Sequence, residues 1–228
     1  MRNNLSKWLG ISVVCVMAGL FVFFALARRE RGMIKQDVEQ TRDALQKVNS
    51  FHFHYDGPNY LAGAPPLTKD VWVFCPNYRY EMTREQGSPD KEEIHFEGNY
   101  YAKTSEKWVK VPGGIKAATV QGCGDLTNEY GLGVPAGFDL MLNRGEIHVD
   151  NHPRSIAGQT CYDYTAAIPT ADVAKRKIIQ TLCLRSEDHL PLEVRFRGWG
   201  AGQDSVYTYD QWNKADQPNF PDGFDPAL

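Results

Sequence analysis

The 228 residues predict a mainly β (α+β) fold: an antiparallel meander of short strands covered by one or two helices, preceded by an N-terminal transmembrane helix. Three observations carry this. An uncharged apolar run, Trp8–Ala27, stands near the start of the chain. From Phe51 onward apolar residues recur with period two, the signature of half-buried strands. Clusters of Gly, Pro, Asn and Ser separate these runs at short intervals, as tight turns do.

At about 1.5 Å per residue, a helix the length of Trp8–Ala27 spans the ~30 Å hydrocarbon core of a bilayer. Two fates stay open for it. Ala25-Leu26-Ala27 fits a signal-peptide cleavage site, whereas the length of the run and Arg28-Arg29 directly after it favour a retained anchor. Cys15 follows Val14, where a lipid-modified cysteine wants a small residue. The expected organisation is a cytoplasmic segment at 1–7, the anchor or signal peptide at 8–27, a basic juxtamembrane segment at 28–35 and one domain at 36–228.

The charges conflict with the cysteines over orientation. Arg2 and Lys7 precede the run, and Arg28, Arg29, Arg31 and Lys35 follow it. By the positive-inside rule that count places the domain in the cytoplasm. The other four cysteines, Cys75, Cys123, Cys161 and Cys183, form an even set in a small β-rich domain, as an oxidising compartment permits. Two of them, Cys161 and Cys183, also fall in register across a hairpin, and this decides for the cysteines. The chain is expected to be a single-pass protein of the inner (cytoplasmic) membrane with its domain in the periplasm or an equivalent extracytoplasmic space. Six of the 25 Lys and Arg and one of the 28 Asp and Glu lie before residue 36, so 36–228 carries a net charge of −8. Such a domain repels a phosphate backbone, which excludes nucleic acid as a partner.

The elements follow in order. Ile34, Val38, Thr41, Leu45 and Val48 recur at helical steps and predict an amphipathic helix over Met33–Val48, packed on the domain core. Phe51, Phe53 and Tyr55 alternate with His52 and His54; Tyr78, Tyr80 and Met82 with Arg79 and Glu81; Ile94 and Phe96 with His95; Leu192, Val194 and Phe196 with Glu193 and Arg195. Val71-Trp72-Val73-Phe74 is apolar on both sides and predicts a central strand covered twice. Gly113–Gly133 reads as a long loop and Phe138–Leu142 as a short helix. Strands resume near Glu146–Val149, Thr160–Ile168 and Lys177–Arg185. The tail from Asn213 is rich in Pro, Asp and Asn and is expected to lie over the surface.

The strands Thr160–Ile168 and Lys177–Arg185 flank a loop centred near 172.5, so opposed residues have indices summing to roughly 345, the constant sum of an antiparallel hairpin. Cys161 and Cys183 meet that condition within one residue and share a face, which predicts a cross-strand disulfide. By elimination Cys75 and Cys123 are left to pair. His52 and His54 share a face, but no further ligand stands at a metal-site spacing, so they read as a polar strand face. His148 and His152 bracket a turn at Asp150-Asn151. Asp188-His189 reads as a turn, and Glu92 and Glu93 fall on opposite faces and cannot share a proton. Nucleophile elbows, phosphate loops and dinucleotide fingerprints are missing. The chain therefore implies no cofactor and a non-enzymatic function.

Phe53, Tyr55, Tyr80, Phe96, Tyr164, Phe196, Tyr207 and Tyr209 all fall on the apolar faces of predicted strands, with Met82 and Val194 beside them. A sheet with so large an apolar face needs a cover, which the two helices supply. Two readings stay open: a filled core, or, in a strongly curved sheet, a cavity for an apolar ligand.

Several phrases resemble the LolA/LppX-like lipoprotein-carrier superfamily, in its order, over roughly residues 40–220. Val48-Asn49-Ser50-Phe51 resembles its helix-to-strand junction, and Pro76-Asn77-Tyr78-Arg79-Tyr80-Glu81 its second-strand segment. Phe96-Glu97-Gly98-Asn99-Tyr100-Tyr101 with Trp108 resembles its glycine-turn hairpin. Ile156–Tyr164 and His189–Val194 resemble two later strands. The resemblance implies a curved, incomplete antiparallel barrel closed by helices around a cavity for acyl chains. Its ligand-binding residues here would be Phe53, Tyr55, Tyr80, Met82, Phe96, Tyr164, Val194, Phe196 and Tyr209. The chain departs from the pattern in lacking a lipobox and a basic patch. Two functions follow. One is a membrane-tethered cell-envelope protein that binds or carries a lipid, acyl or lipoprotein ligand. The other is a non-catalytic scaffold domain of an envelope complex with a filled core. No protein partner is singled out. A reporter that fluoresces only in the cytoplasm, fused at Leu228, is expected to leave cells dark; bright cells would reverse the orientation.

Overall fold

The computed structural model describes residues 28–59, 64–112, 141–144, 146–169, 177–198, 204–214, 218, 220–225 and 227. The chain divides into two compact units, Met1–Asp37 and Val38–Leu228, and the β-sheet lies in the second. The apolar run Trp8–Ala27 lies outside the described residues, as do Gly113–Gly133 and Cys123. Among the described residues no helix is long and apolar enough to cross a membrane.

Residues 28–46 are helical, starting before and ending short of the expected bounds. The last turn tightens, with the Lys47 and Val48 amides donating to Ala44 and Leu45 three residues back. Val38, Thr41, Leu45 and Val48 are buried in the single chain, so the helix spends its apolar face within the fold.

Eleven strands follow among the described residues. β1 is Ser50–Gly57, β2 Leu67–Phe74, β3 Tyr78–Glu85, β4 Lys91–Phe96, β5 Asn99–Thr104 and β6 Lys107–Lys110. β7 is Ile147–Ile156, β8 Gln159–Pro169, β9 Lys177–Arg185, β10 Pro191–Arg197 and β11 Ser205–Asp210. They form one open antiparallel sheet in the order β6-β5-β4-β3-β2-β1-β11-β10-β9-β8-β7. Two meanders, β1–β6 and β7–β11, are thus joined by the pairing of β1 with β11, where Phe53 faces Tyr209 and Tyr55 faces Tyr207. Beside this seam the Asn213 amide donates to the Ser50 carbonyl, and the Asn49 amide donates to Asn213 Oδ1. Glu97-Gly98 and Ala157-Gly158 make two-residue turns with positive φ at both positions, the geometry whose twist matches that of paired strands.

Register shows which side chains share a face. Phe53 pairs with Val71 and Val71 with Glu81, whereas His52 pairs with Trp72, Trp72 with Tyr80 and Tyr80 with Ile94. The buried face of β1 is therefore continued on β3 by charged residues, and the buried face of β3 is the opposite one. β2 is where the change occurs. Val71 and Val73 are buried on one side, and Trp72 and Phe74 pack on the other against the cluster of Tyr78, Tyr80, Ile94, Tyr101 and Trp108. The expectation of a strand covered twice holds for this reason.

Several expectations need correction. The tail does not simply lie over the surface: Phe224 is buried in the β3–β6 cluster and Phe220 packs against it. Phe224 meets the rings of Tyr101 at 5.1 Å and Trp108 at 5.6 Å, and Trp108 Nε1 donates to the Asp222 carbonyl. Cys161 and Cys183 do form a disulfide, with Cα atoms 5.4 Å apart, but they are diagonal and not opposed. Cys161 faces Arg185 and Cys183 faces Asp163, because Pro169 pairs with Lys177 and centres the loop half a residue later than expected. The twist of the sheet shortens one diagonal enough to bridge. Cys75 is also disulfide-bonded. His148 and His152 do not bracket a turn but lie within β7. The register shifts between Asp150 and Arg154, and Asp150 Oδ1 accepts the His152 amide. Leu192 leaves the face of Val194 and Phe196. A register shift between Pro191 and Glu193 turns it to the disulfide, where it packs with Cys161, Cys183 and Ile156.

Phe224→Ala is expected to cost about 3 kcal/mol through the cavity it leaves among aromatic rings. Denaturant midpoints measure it, and a midpoint equal to wild type would mean that the tail only lies over the surface.

Candidate functional site

β8 to β11 and β1 present a continuous face. Each strand contributes alternate residues to it: Tyr162, Tyr164 and Ala166 on β8, Gln180 and Leu182 on β9, Val194 and Phe196 on β10. Ser205, Tyr207 and Tyr209 follow on β11, then Phe51, Phe53 and Tyr55 on β1. The sequence produces this face by strict alternation with polar residues such as Asp163, Thr181, Arg195 and Thr208 on the other side. Tyr207 is its hub, with ring centroids 4.8 Å from Tyr55, 5.9 Å from Phe53 and 6.0 Å from Phe196. Phe53 and Tyr209 lie 5.6 Å apart across the seam. Tyr55 donates to the Pro58 carbonyl. Burial drives the Tyr209 phenol well above its usual ionisation range, so it stays neutral. No residue named on this face carries a charge.

Six of the nine residues implied as ligand-binding come together here: Phe53, Tyr55, Tyr164, Val194, Phe196 and Tyr209. The other three, Tyr80, Met82 and Phe96, lie on the opposite face of the sheet. There they belong to the β3–β6 cluster, and the chain's own tail meets Phe96, with Phe220 5.3 Å from its ring. Burial, and then the hydrogen bond from Tyr80 to Glu92 Oε2, push the Tyr80 phenol upward. Sequence reasoning missed Gln180 and Ser205, both buried on the neutral face. Gln180 alternates in step with Ile178 and Leu182, a signal visible in the strand Lys177–Arg185.

The neutral face ends at β2 and β3, beginning with Lys69, which stands opposite Tyr55. Glu81, paired with Val71, is 4% exposed and lies between Lys69 Nζ, 2.5 Å away, and the Arg79 guanidinium. Burial alone resists ionisation of Glu81, but Arg79 and Lys69 outweigh it and hold the carboxyl at about 2.

The reverse side of β7–β10 is charged. It holds a groove of about 420 Å³ whose lining includes His148, Arg154, Asp163, Glu193, Arg195 and Arg197. Arg154 bridges Asp163 at 2.8 Å and Glu193 at 2.9 Å, and Arg195 also reaches Glu193. These charges neutralise one another and leave no concentrated sign to attract an ion. On the same side His52 contacts Asp210 at 2.5 Å and His54 contacts Asp70 at 2.9 Å, the polar strand face expected. Among the described residues no group of three or more His, Cys, Asp or Glu is placed to hold a metal.

No protein-family model matches the sequence, and no curated protein matches it. Solved structures do share its fold. The lipoprotein LppX of Mycobacterium tuberculosis matches with a TM-score of 0.54 at 16% identity, over 80% of this chain and 96% of that one. LprF of Mycobacterium bovis matches with a TM-score of 0.54 at 14% identity, over 82% of this chain and 95% of its own. The chain shares the fold of these two structures.

The Glu81 carboxyl titrates lower in the folded chain than its ordinary 4.5, so the folded state binds fewer protons as pH falls. Its stabilisation is present above pH 4.5 and is lost progressively down to about 2, on the order of 3 kcal/mol in all. Urea unfolding across that window is expected to show a steeper acid loss for wild type than for Glu81→Gln; parallel curves would contradict it.

Proposed function

We propose that this protein binds an apolar, acyl-bearing ligand on the neutral face of β8–β11 and β1, and holds it for transfer at a membrane. The observation that carries the reading is the division of aromatic residues between two faces. The β3–β6 cluster is closed by Phe220 and Phe224 from the tail. The neutral face buries rings and aliphatic groups across five strands with no charge among them, an interior suited to hydrocarbon. The fold shared with LppX, a lipoprotein, and with LprF supports a cell-envelope setting. The run Trp8–Ala27 would tether the domain, and the Cys161–Cys183 bridge supports its lying outside the cytoplasm. The chain binds and does not catalyse: what gathers on the face is apolar, without a nucleophile paired to a base. The ligand is a lipid or the acyl chains of a lipoprotein.

Native mass spectrometry of the chain, purified from its membrane in mild detergent, tests this. A bound species that leaves on solvent extraction and fragments to acyl chains is expected. A spectrum of the bare chain alone would favour a filled core and a scaffold role in an envelope complex.

A further inference from the structure

One row of the neutral face departs from its apolar character. Phe196 on β10 pairs with Ser205 on one side and Gln180 on the other, and Gln180 pairs in turn with Ala166 on β8. At the β1 end the row closes on Gly57, where an added Cβ would stand 3.1 Å from the Ser205 backbone. Gln180 has no exposed surface, yet neither Nε2 nor Oε1 has a hydrogen-bond partner. Ser205 is 1% exposed and its Oγ is likewise unpartnered. Buried side-chain polar groups in folded proteins are nearly always paired, and an amide with donor and acceptor both unmet weakens the fold that keeps it. Phe196 lies between the two residues, so they do not satisfy each other.

We propose that Gln180 and Ser205 are the polar anchor of the apolar site and select a ligand whose long hydrocarbon chain carries a neutral hydroxyl. This rests on the apolar-ligand reading above. A hydroxyl both donates and accepts, which answers Oε1 and Nε2 of one amide together. A hydrocarbon answers neither. A carboxylate only accepts, and would stand on this face with no cation among Tyr164, Leu182, Val194, Phe196 and Tyr207 to offset its desolvation. Ser205 and Ala166 on the row are small, and the Tyr55 ring fills the space over Gly57, where an added Cβ would meet its hydroxyl at 2.5 Å.

The test uses the full chain in detergent, stripped of bound lipid and offered oleyl alcohol, oleate or 1-octadecene, with the fraction bound read by native mass spectrometry. Wild type is expected to hold the alcohol at least about tenfold better than either competitor. Gln180→Leu is expected to bring the three within about twofold while raising the melting temperature, since it removes the unpaired amide. Gln180→Met serves if the leucine variant fails to fold, and Ser205→Ala is expected to reduce the preference less. A wild type that holds all three alike overturns the polar anchor and leaves the apolar site standing. So does a Gln180→Leu chain that keeps the preference. A wild type that holds none of them overturns both.

Discussion

β2 is the strand on which the rest of the sheet depends. A strand in an antiparallel sheet ordinarily buries one side, and its neighbours bury the same side. Val71, Trp72, Val73 and Phe74 bury both, so β2 belongs to two cores at once. On the β1 side the core lies with Val71 and Val73. On the β3 side it lies with Trp72, Tyr80 and Ile94. Without a doubly apolar strand at that position the exchange would expose one core edge or bury the charges of the other. The stacking of Trp72 on Tyr80 at 5.1 Å and on His52 at 4.6 Å shows the boundary itself, with an aromatic ring meeting each half.

The exchange has a consequence for function. A single sheet of eleven strands offers two apolar surfaces: the tail covers the one on β3–β6, and Phe53, Val194 and Tyr209 on the other are also buried within the chain. Phe220 and Phe224 turn the β3–β6 face into an ordinary core. The β8–β11 and β1 face keeps its aromatic rings in a neutral, continuous row, while the reverse of those strands carries internally paired ions such as Arg154 with Asp163 and Glu193. Charge and hydrocarbon are thereby kept on separate sides of the same strands, which is what a site for an acyl chain requires: no buried ion to desolvate when the ligand enters.

Much of this was legible in the chain. Period-two alternation located the strands because burial of one side demands it, and the hairpin index sum found the bridge between Cys161 and Cys183 to within a register step. The same alternation grouped Tyr80, Met82 and Phe96 with Phe53 and Tyr209, because periodicity reports that a strand has a buried side without saying which side of the sheet it is. Register carries that information. The turn Cys75-Pro76-Asn77 centres on 76 and so pairs Trp72 with Tyr80, which places Tyr80 opposite to Phe53. The tail read as surface because Pro, Asp and Asn dominate it, although two aromatic residues four apart in so polar a segment are themselves a packing signal. Gln180 stands in step with Ile178 and Leu182, a position that sets it inside.

Mapping the site with a stearyl chain bearing a photoactivatable diazirine tests the division of faces most directly. After illumination and digestion, peptide mass spectrometry should find adducts on the face of Phe53, Tyr164, Val194, Phe196 and Tyr209, and none on Tyr80, Phe96 or Phe224. Adducts concentrated on Tyr80, Phe96 and Phe224, or scattered equally over both faces, would contradict it.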